Sequence, residues 1–314
     1  MLHADCAVPP ALWRDATRIR IALVERLLRL HRRINMKFLK RRTRELLERA
    51  GLYHRLKTST IQDLYRGVAD KRWVESREKQ IDFYRRLLPE LRRGDLIFDV
   101  GANEGWKTDL FLRLGARVVA IEPDERNRLI LEKRFMKLRF ARMPVVIVGK
   151  AVSDKNAMES MWIDGPGSAV NTLSQKWAAV LKGNKARHTY GHCGLDFAQN
   201  RIVETTTLEE LIAAHGRPIF IKIDVEGYEL NVIRGLRHPV PCLSFEVNLP
   251  EFRPESLLCL ALLEGLAGNS IFNYSVDCER GLALDRWLNK HEFLPVLERC
   301  AENAIEIFCK GLPN

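Results

Sequence analysis

Three short strings hold the residue types that do chemistry. The first is Leu96-Ile-Phe-Asp99-Val-Gly101-Ala-Asn103-Glu-Gly105-Trp106. A buried-strand run passes into a glycine turn and then into a helix start, which sets backbone N–H groups at the mouth of a sheet. A dinucleotide site would read Gly-x-Gly-x-x-Gly. Here the second and third glycine positions hold Asn103 and Trp106, so a pyrophosphate cradle is not indicated. A ligand without phosphate fits better, with Asp99 as counter-charge to a cationic amino group. The second string is Val118-Val-Ala-Ile-Glu122-Pro123, whose acid stands 21 residues after Gly101. An acceptor at that distance from the turn is where a ribose diol is held. Together the two strings favour an adenosine-bearing cofactor.

The third string is Ile219-Phe-Ile-Lys222-Ile-Asp224-Val-Glu226-Gly227-Tyr-Glu229. A second buried run ends in two carboxylates one residue apart before a glycine opens a helix. In an open α/β sheet the ligand lies beyond the carboxyl ends of the strands, so Asp99, Glu122, Asp224 and Glu226 should crowd one edge. Acids so placed can orient a cationic ligand, hold a metal or take a proton. Lys222, inside an apolar run, needs a carboxylate partner. Glu229 reads as an ordinary solvated helix position. His188 and His192, in a polar stretch with Cys193, are read as substrate-loop residues, one of them a candidate general base. They are weak as a zinc set, and a solvent-facing role is the plainer reading of each.

The elements that must position these residues follow from the apolar pattern. Strands are predicted at 96–100, 117–121, 145–149, 219–223, 242–247, 270–276 and 304–308. Helices fit at 105–114, 124–135, 207–215, 227–236, 255–266 and 286–299. That alternation calls for a seven-stranded, mostly parallel α/β sheet with helices on both faces. Residues 164–200 show no clear period and are too long for a plain connection, which suits a loop over an active site. Before Gly94, amphipathic basic stretches at 11–50, 61–68 and 74–91 predict a helical N-terminal extension over 1–93, with the main domain at 94–314.

The Asp99-Val-Gly-Ala-Asn-x-Gly string, Glu122-Pro, and Lys222-Ile-Asp-Val-Glu-Gly-x-Glu229 together resemble the FkbM-type methyltransferases. Leu243-Ser-Phe-Glu246 and Ile305-Glu-Ile-Phe308 extend that resemblance, which covers roughly residues 80–309. It implies a class I methyltransferase, Rossmann-like fold, S-adenosyl-L-methionine as cofactor, and O-methylation of a saccharide, glycolipid or natural-product hydroxyl. It also implies that Asp99, Gly101, Asn103 and Gly105 contact the methionine part, Glu122 the ribose, and Ser153-Asp154 the adenine side. Asp224 with Glu246 and Asn248 resembles the metal arrangement of catechol-type O-methyltransferases, whose oxygen ligands suit Mg²⁺. A hydrogen-bonded strand end is the plainer reading of Glu246 and Asn248.

Charge widens the set of partners. The chain carries a net +11, and residues 1–93 hold 24 Lys+Arg against 11 Asp+Glu, a surplus of +13. Such a segment suits an anionic membrane surface or nucleic acid, and equally a solvated helix face. Nucleic-acid methylation is therefore one alternative, although no Asn-Pro-Pro-Tyr-like string follows the Asp224 strand. A non-catalytic membrane-surface or oligomerisation role, with a homo-oligomer, is another. The seven cysteines include no Cys-x-x-Cys pair and read as reduced thiols, Cys242 and Cys309 as core residues. No apolar run approaches the ~20 residues of a membrane span. A cytoplasmic location is the expectation, with the inner membrane face as a peripheral site.

Overall fold

The computed structural model describes residues 71–140, 145–183, 195 and 197–311, with the side chains of 137–140 excepted. Most of the basic extension, and both His188 and His192, lie outside the described residues. The elements run α1 (Lys71–Leu87), β1 (Leu96–Val100), α2 (Trp106–Arg113), β2 (Arg117–Ile121), α3 (Glu125–Phe140), β3 (Val145–Val148), β4 (Ala151–Val152), β5 (Met158–Ile163), α4 (Gln175–Gly183), β6 (Gln199–Thr206), α5 (Leu208–His215), β7 (Phe220–Ile223), α6 (Glu229–Arg234), β8 (Cys242–Asn248), α7 (Arg253–Ala267), β9 (Ile271–Ser275), β10 (Leu288–Asn289), α8 (Lys290–Arg299) and β11 (Ala304–Lys310).

Eight strands form the main sheet in the order β10-β9-β11-β8-β7-β1-β2-β3. From β8 to β3 all neighbours are parallel, while β11, β9 and β10 join antiparallel. The expected seven-stranded, mostly parallel sheet is thus corrected to eight strands with a mixed half. All seven predicted strands are present; the eighth, Leu288–Asn289, is too short to carry a pattern. A second sheet, β4-β6-β5, was not anticipated. Its strand β5 buries only Met161 and Ile163, too sparse an alternation to read as a strand.

Alternate residues of the central strands face two cores. Leu96, Phe98 and Val100 of β1 pack with Ile221 and Ile223 of β7 on one side. Ile97 and Phe220 pack with Tyr84, Phe111 and Phe308 on the other. Rings of Tyr84, Phe111 and Phe220 meet pairwise at 5.1 to 5.8 Å, and each such buried aromatic contributes roughly 2–3 kcal/mol through the area it removes from water. The compact unit containing the sheet begins at Ser76. Within the amphipathic stretch read at 74–91, Phe83, Tyr84, Leu87 and Leu88 are core.

The strand order fixes where a ligand belongs. From β1 the chain steps outward through β2 to β3, then returns to place β7 on the opposite side of β1 and β8 beyond it. The direction of winding reverses between β1 and β7, and the crevice at such a switch point lies beyond the carboxyl ends of those strands. Asp99–Gly105 and Asp224–Gly227 are the turns that leave those two ends. No helix among the described residues is long and apolar enough to cross a membrane.

Candidate active site

The two turns meet backbone to backbone. Gly101 sits at φ +79°, and a Cβ there would stand 1.8 Å from the carbonyl oxygen of Asp224. Only glycine allows this approach. The N–H groups of Gly101 and Ala102 both donate to the Ile121 carbonyl at 3.0 Å, which ties the turn to the end of β2. There Glu122 accepts from Asn103 N–H and Asp124 N–H, each at 2.8 Å. Glu122 is 6% exposed, and burial pushes its carboxyl up to about 7 against those backbone hydrogen bonds. The buried Oδ1 atoms of Asn103 and Asn127 have no hydrogen-bond partner. Such orphaned acceptors beside a carboxylate are what a ligand bearing hydroxyl or amino donors would satisfy.

Asp99, read as counter-charge to a cationic amino group, lies inside the sheet. It is 1% exposed, accepts from the Thr108 hydroxyl at 2.5 Å, and stands in strand register opposite Lys222. Burial raises its carboxyl, and the Lys222 charge and the Thr108 hydrogen bond oppose the rise. The row continues across the sheet from Lys222 to Ser244, whose hydroxyl donates to Glu306 at 2.6 Å. Asp99 thus meets the protein's own cation. Gly105, at φ +82°, has no open approach for a ligand at its missing Cβ, which would strike Leu131 and Phe135 at 2.5 and 2.7 Å.

Beyond β7 and β8, carboxylate oxygens of Asp224, Glu226 and Glu246 lie within 4.8 Å of one another. Lys222 Nζ donates to Asp224 Oδ2 at 2.7 Å, the partner its burial required. Burial pushes Asp224 up, but the Lys222 charge together with hydrogen bonds from Glu246 and Lys222 outweighs it and holds the carboxyl below its ordinary value, although the side chain keeps 35% exposure to the crevice. Glu246 goes the other way. Burial and the Asp224 charge raise it well above the usual range, and it shares a hydrogen bond with Asp224. Like charges this close cannot all ionise, so Glu246 holds a proton toward the Asp224 carboxylate. Glu226 is pushed up to about 8 by burial and then by the Asp224 charge.

Glu229 is not the solvated position expected. It is buried, its Oε1 accepts from Val225 N–H at 3.2 Å and Gly227 N–H at 3.1 Å, and it thereby pins the Asp-Val-Glu-Gly turn. Burial pushes it up to about 7. Asn248, expected beside Asp224 and Glu246 as a metal ligand, is buried, and its amide Nδ2 has no partner. Three carboxylates meet there, and the Lys222 ammonium already holds one oxygen of Asp224.

Part of the long insertion fastens onto the chain after β2 and onto the Asp224–Gly227 turn. Asn171 Nδ2 donates to Asp124 Oδ2 at 3.2 Å, Thr172 Oγ1 to the Glu226 carbonyl at 2.7 Å, and Trp177 Nε1 to Glu226 Oε2 at 2.9 Å. These three residues were missed because the stretch lacks an obvious period, yet Trp177-Ala-Ala-Val-Leu181 is a helical signature in plain view. Ser153, expected at the adenine side, is fully buried and its hydroxyl donates to Glu159 at 3.0 Å, while Asp154 is exposed. A cavity of about 230 Å³ opens beside the cluster, with Gln175, Lys176, Tyr228, Glu246, Phe252 and Glu255 among its walls.

A family model described as the methyltransferase FkbM domain matches residues 99–262, slightly over half of the chain. Similar solved structures include precorrin-6y C5,15-methyltransferase from Geobacter metallireducens GS-15, at 9% identity over 76% of this chain and 87% of that chain, TM-score 0.35. Precorrin 8w decarboxylase from Methanobacterium thermoautotrophicum is 15% identical over 72% and 86%, TM-score 0.34. An rRNA methylase from Streptococcus thermophilus is 9% identical over 76% and 94%, TM-score 0.35. Overlaps of that extent carry nothing about acceptor or site. No curated protein matches this chain.

Proposed function

From the premise that this chain belongs to the FkbM methyltransferase family, we propose that it transfers a methyl group from S-adenosyl-L-methionine to a hydroxyl oxygen of a saccharide or other small-molecule acceptor. The crevice suits this cofactor. Glu122 offers an acceptor for ribose hydroxyls beside the Gly101 turn, and the unpartnered Asn103 and Asn127 oxygens offer further acceptors. When bound, S-adenosyl-L-methionine supplies an electrophilic methyl group on a sulfonium sulfur.

The observation that carries the hydroxyl reading is the carboxylate cluster. A hydroxyl oxygen becomes a good nucleophile as its proton leaves, and a base whose pKa lies near the working pH removes it most effectively. Glu226 meets that condition at about 8. Lys222 keeps Asp224 ionised, and Glu246 holds its proton against Asp224, so two of the three roles are fixed and Glu226 is left to accept the acceptor's proton at a carboxylate oxygen. The neighbouring cavity gives the acceptor a place beside Glu246. Holding hydroxyl and methyl in line there supplies much of the rate.

Incubation with methyl-labelled S-adenosyl-L-methionine and panels of glycans, glycolipids, small hydroxylated metabolites and RNA tests this reading. Label in an O-methyl ether supports it; label confined to RNA bases would overturn it. With a confirmed acceptor, Asp224→Asn should lower kcat on the order of 10²-fold while S-adenosylhomocysteine affinity changes little. Full activity in that variant would remove Asp224 from the mechanism. Chelation that abolishes the rate, with rescue by Mg²⁺, would add a metal to it.

A further inference from the structure

Glu226 occupies an unusual backbone position for a long side chain, with φ +56°. A non-glycine residue in the left-handed region persists only where its surroundings hold it there. Two groups from the insertion do so. Thr172 fixes its carbonyl, and the Trp177 indole N–H fixes one oxygen of its carboxylate. Trp177 is itself immobilised: it is 4% exposed, its Cβ packs 3.0 Å from where a Gly227 Cβ would stand, and its ring meets Phe252 edge-on at 5.7 Å. The adjacent Lys176 is turned away, paired with Glu255 and the Glu251 carbonyl.

We propose that Trp177 is a positioning residue for Glu226: its indole N–H aims one carboxylate oxygen and stabilises the ionised form, leaving the other oxygen to meet the acceptor hydroxyl. This rests on the reading of Glu226 as the base. Asp224 and Glu229 disfavour the ionisation of Glu226, Lys222 favours it but is committed to Asp224, and the neighbouring Glu246 holds its proton. Trp177 is the neutral donor that offsets these two acids, because a hydrogen bond to a carboxylate favours the charged form. A segment inserted between β5 and β6 thereby tunes the reactivity of a residue at the end of β7.

The contact can be read without knowing the acceptor. In the full chain labelled with ¹⁵N-tryptophan, one indole N–H signal disappears in Trp177→Phe and so identifies Trp177. That signal should shift with pH between about 6 and 9, well above the ordinary glutamate range, and stop shifting in Glu226→Gln. A signal that does not titrate, or titrates unchanged in Glu226→Gln, overturns the proposal. With a confirmed acceptor, Trp177→Phe should lower kcat at pH 7 about tenfold, leave S-adenosylhomocysteine affinity intact, and move the acidic limb of the pH profile upward by roughly one unit. Loss of equal size at every pH would mark a structural role and overturn it. Full activity in Glu226→Gln would instead sink the base reading, and the positioning role with it, whatever the indole signal shows.

Discussion

Lys222 and Asp224, two residues apart at the end of β7, bind each other at 2.7 Å while Asp99 stands in register across from Lys222 on β1. One ammonium therefore serves carboxylates on two strands. Lys222→Met should lower stability on the order of 2–3 kcal/mol, less than the roughly 3–5 of a fully buried pair because Asp224 is 35% exposed. The sign with pH follows from Asp224, whose folded-state carboxyl is held low. Its contribution is present above the ordinary aspartate range and is lost as pH falls through the folded value. Urea denaturation should show the gap between wild type and variant narrowing below about pH 4. A constant gap would mean that the lysine acts through packing.

Gly101→Ala tests the contact between the two turns. The added carbon would sit 1.8 Å from the Asp224 carbonyl oxygen at φ +79°, so both the strain and the clash demand backbone movement. A loss of at least about 2 kcal/mol is expected, with S-adenosylhomocysteine binding reduced beyond detection by calorimetry. Near-normal affinity would show that the turns can part without harm to the crevice.

Glu122→Ala should weaken S-adenosylhomocysteine binding by about 1–3 kcal/mol, since ribose hydroxyls would lose their acceptor. The same variant frees the N–H groups of Asn103 and Asp124. Glu122→Gln, which keeps an acceptor oxygen, should lose less. Equal affinity in all three proteins, measured by titration, would put the ribose elsewhere.

Buried acids predict how stability depends on pH. Glu122 and Glu229 have folded-state values near 7, and Glu226 near 8, all above the ordinary glutamate value. A raised carboxyl binds its proton more tightly when folded, so stability is greatest below the unfolded value and falls as pH rises toward the folded one. The ligand-free protein should lose stability from about pH 4.5 to 8, with each such group contributing at most about 1.4 kcal/mol per pH unit. Glu229→Gln should flatten the slope between about pH 4.5 and 7. A stability that rises across this interval would contradict the burial of these groups.

The chain's own pattern announced the strand, turn and helix around Gly101, Glu122 and Asp224, because a five-residue apolar run ending in glycine is a local signal. Strand direction is not local. Nothing in Ile305-Glu-Ile-Phe308 tells that it pairs antiparallel with β8. The acid cluster was half legible: Asp224 and Glu226 by spacing, Glu246 by resemblance, but its protonation order depends on Lys222 reaching one oxygen and not another. Trp177, Thr172 and Asn171 act across 47 or more residues of chain, which no period within a segment encodes. Glu229 misled for the same reason, since a helix N-terminus looks alike in sequence whether it faces water or folds back onto its own turn.

The placing of β1 beside β7 has a consequence for how the molecule is made. Val100 and Ile223 are register partners on neighbouring strands, yet β2, β3 and the entire small sheet intervene along the chain. Closing so long a loop is entropically slow, and it must precede any meeting of Gly101 with Asp224. During refolding, β1, β2 and β3 can pair while the crevice does not yet exist. Pulsed hydrogen exchange should find amides of Val118–Ile121 protected before those of Phe220–Asp224, and a growing chain released from the ribosome before Asp224 should carry the glycine turn without the backbone it packs against.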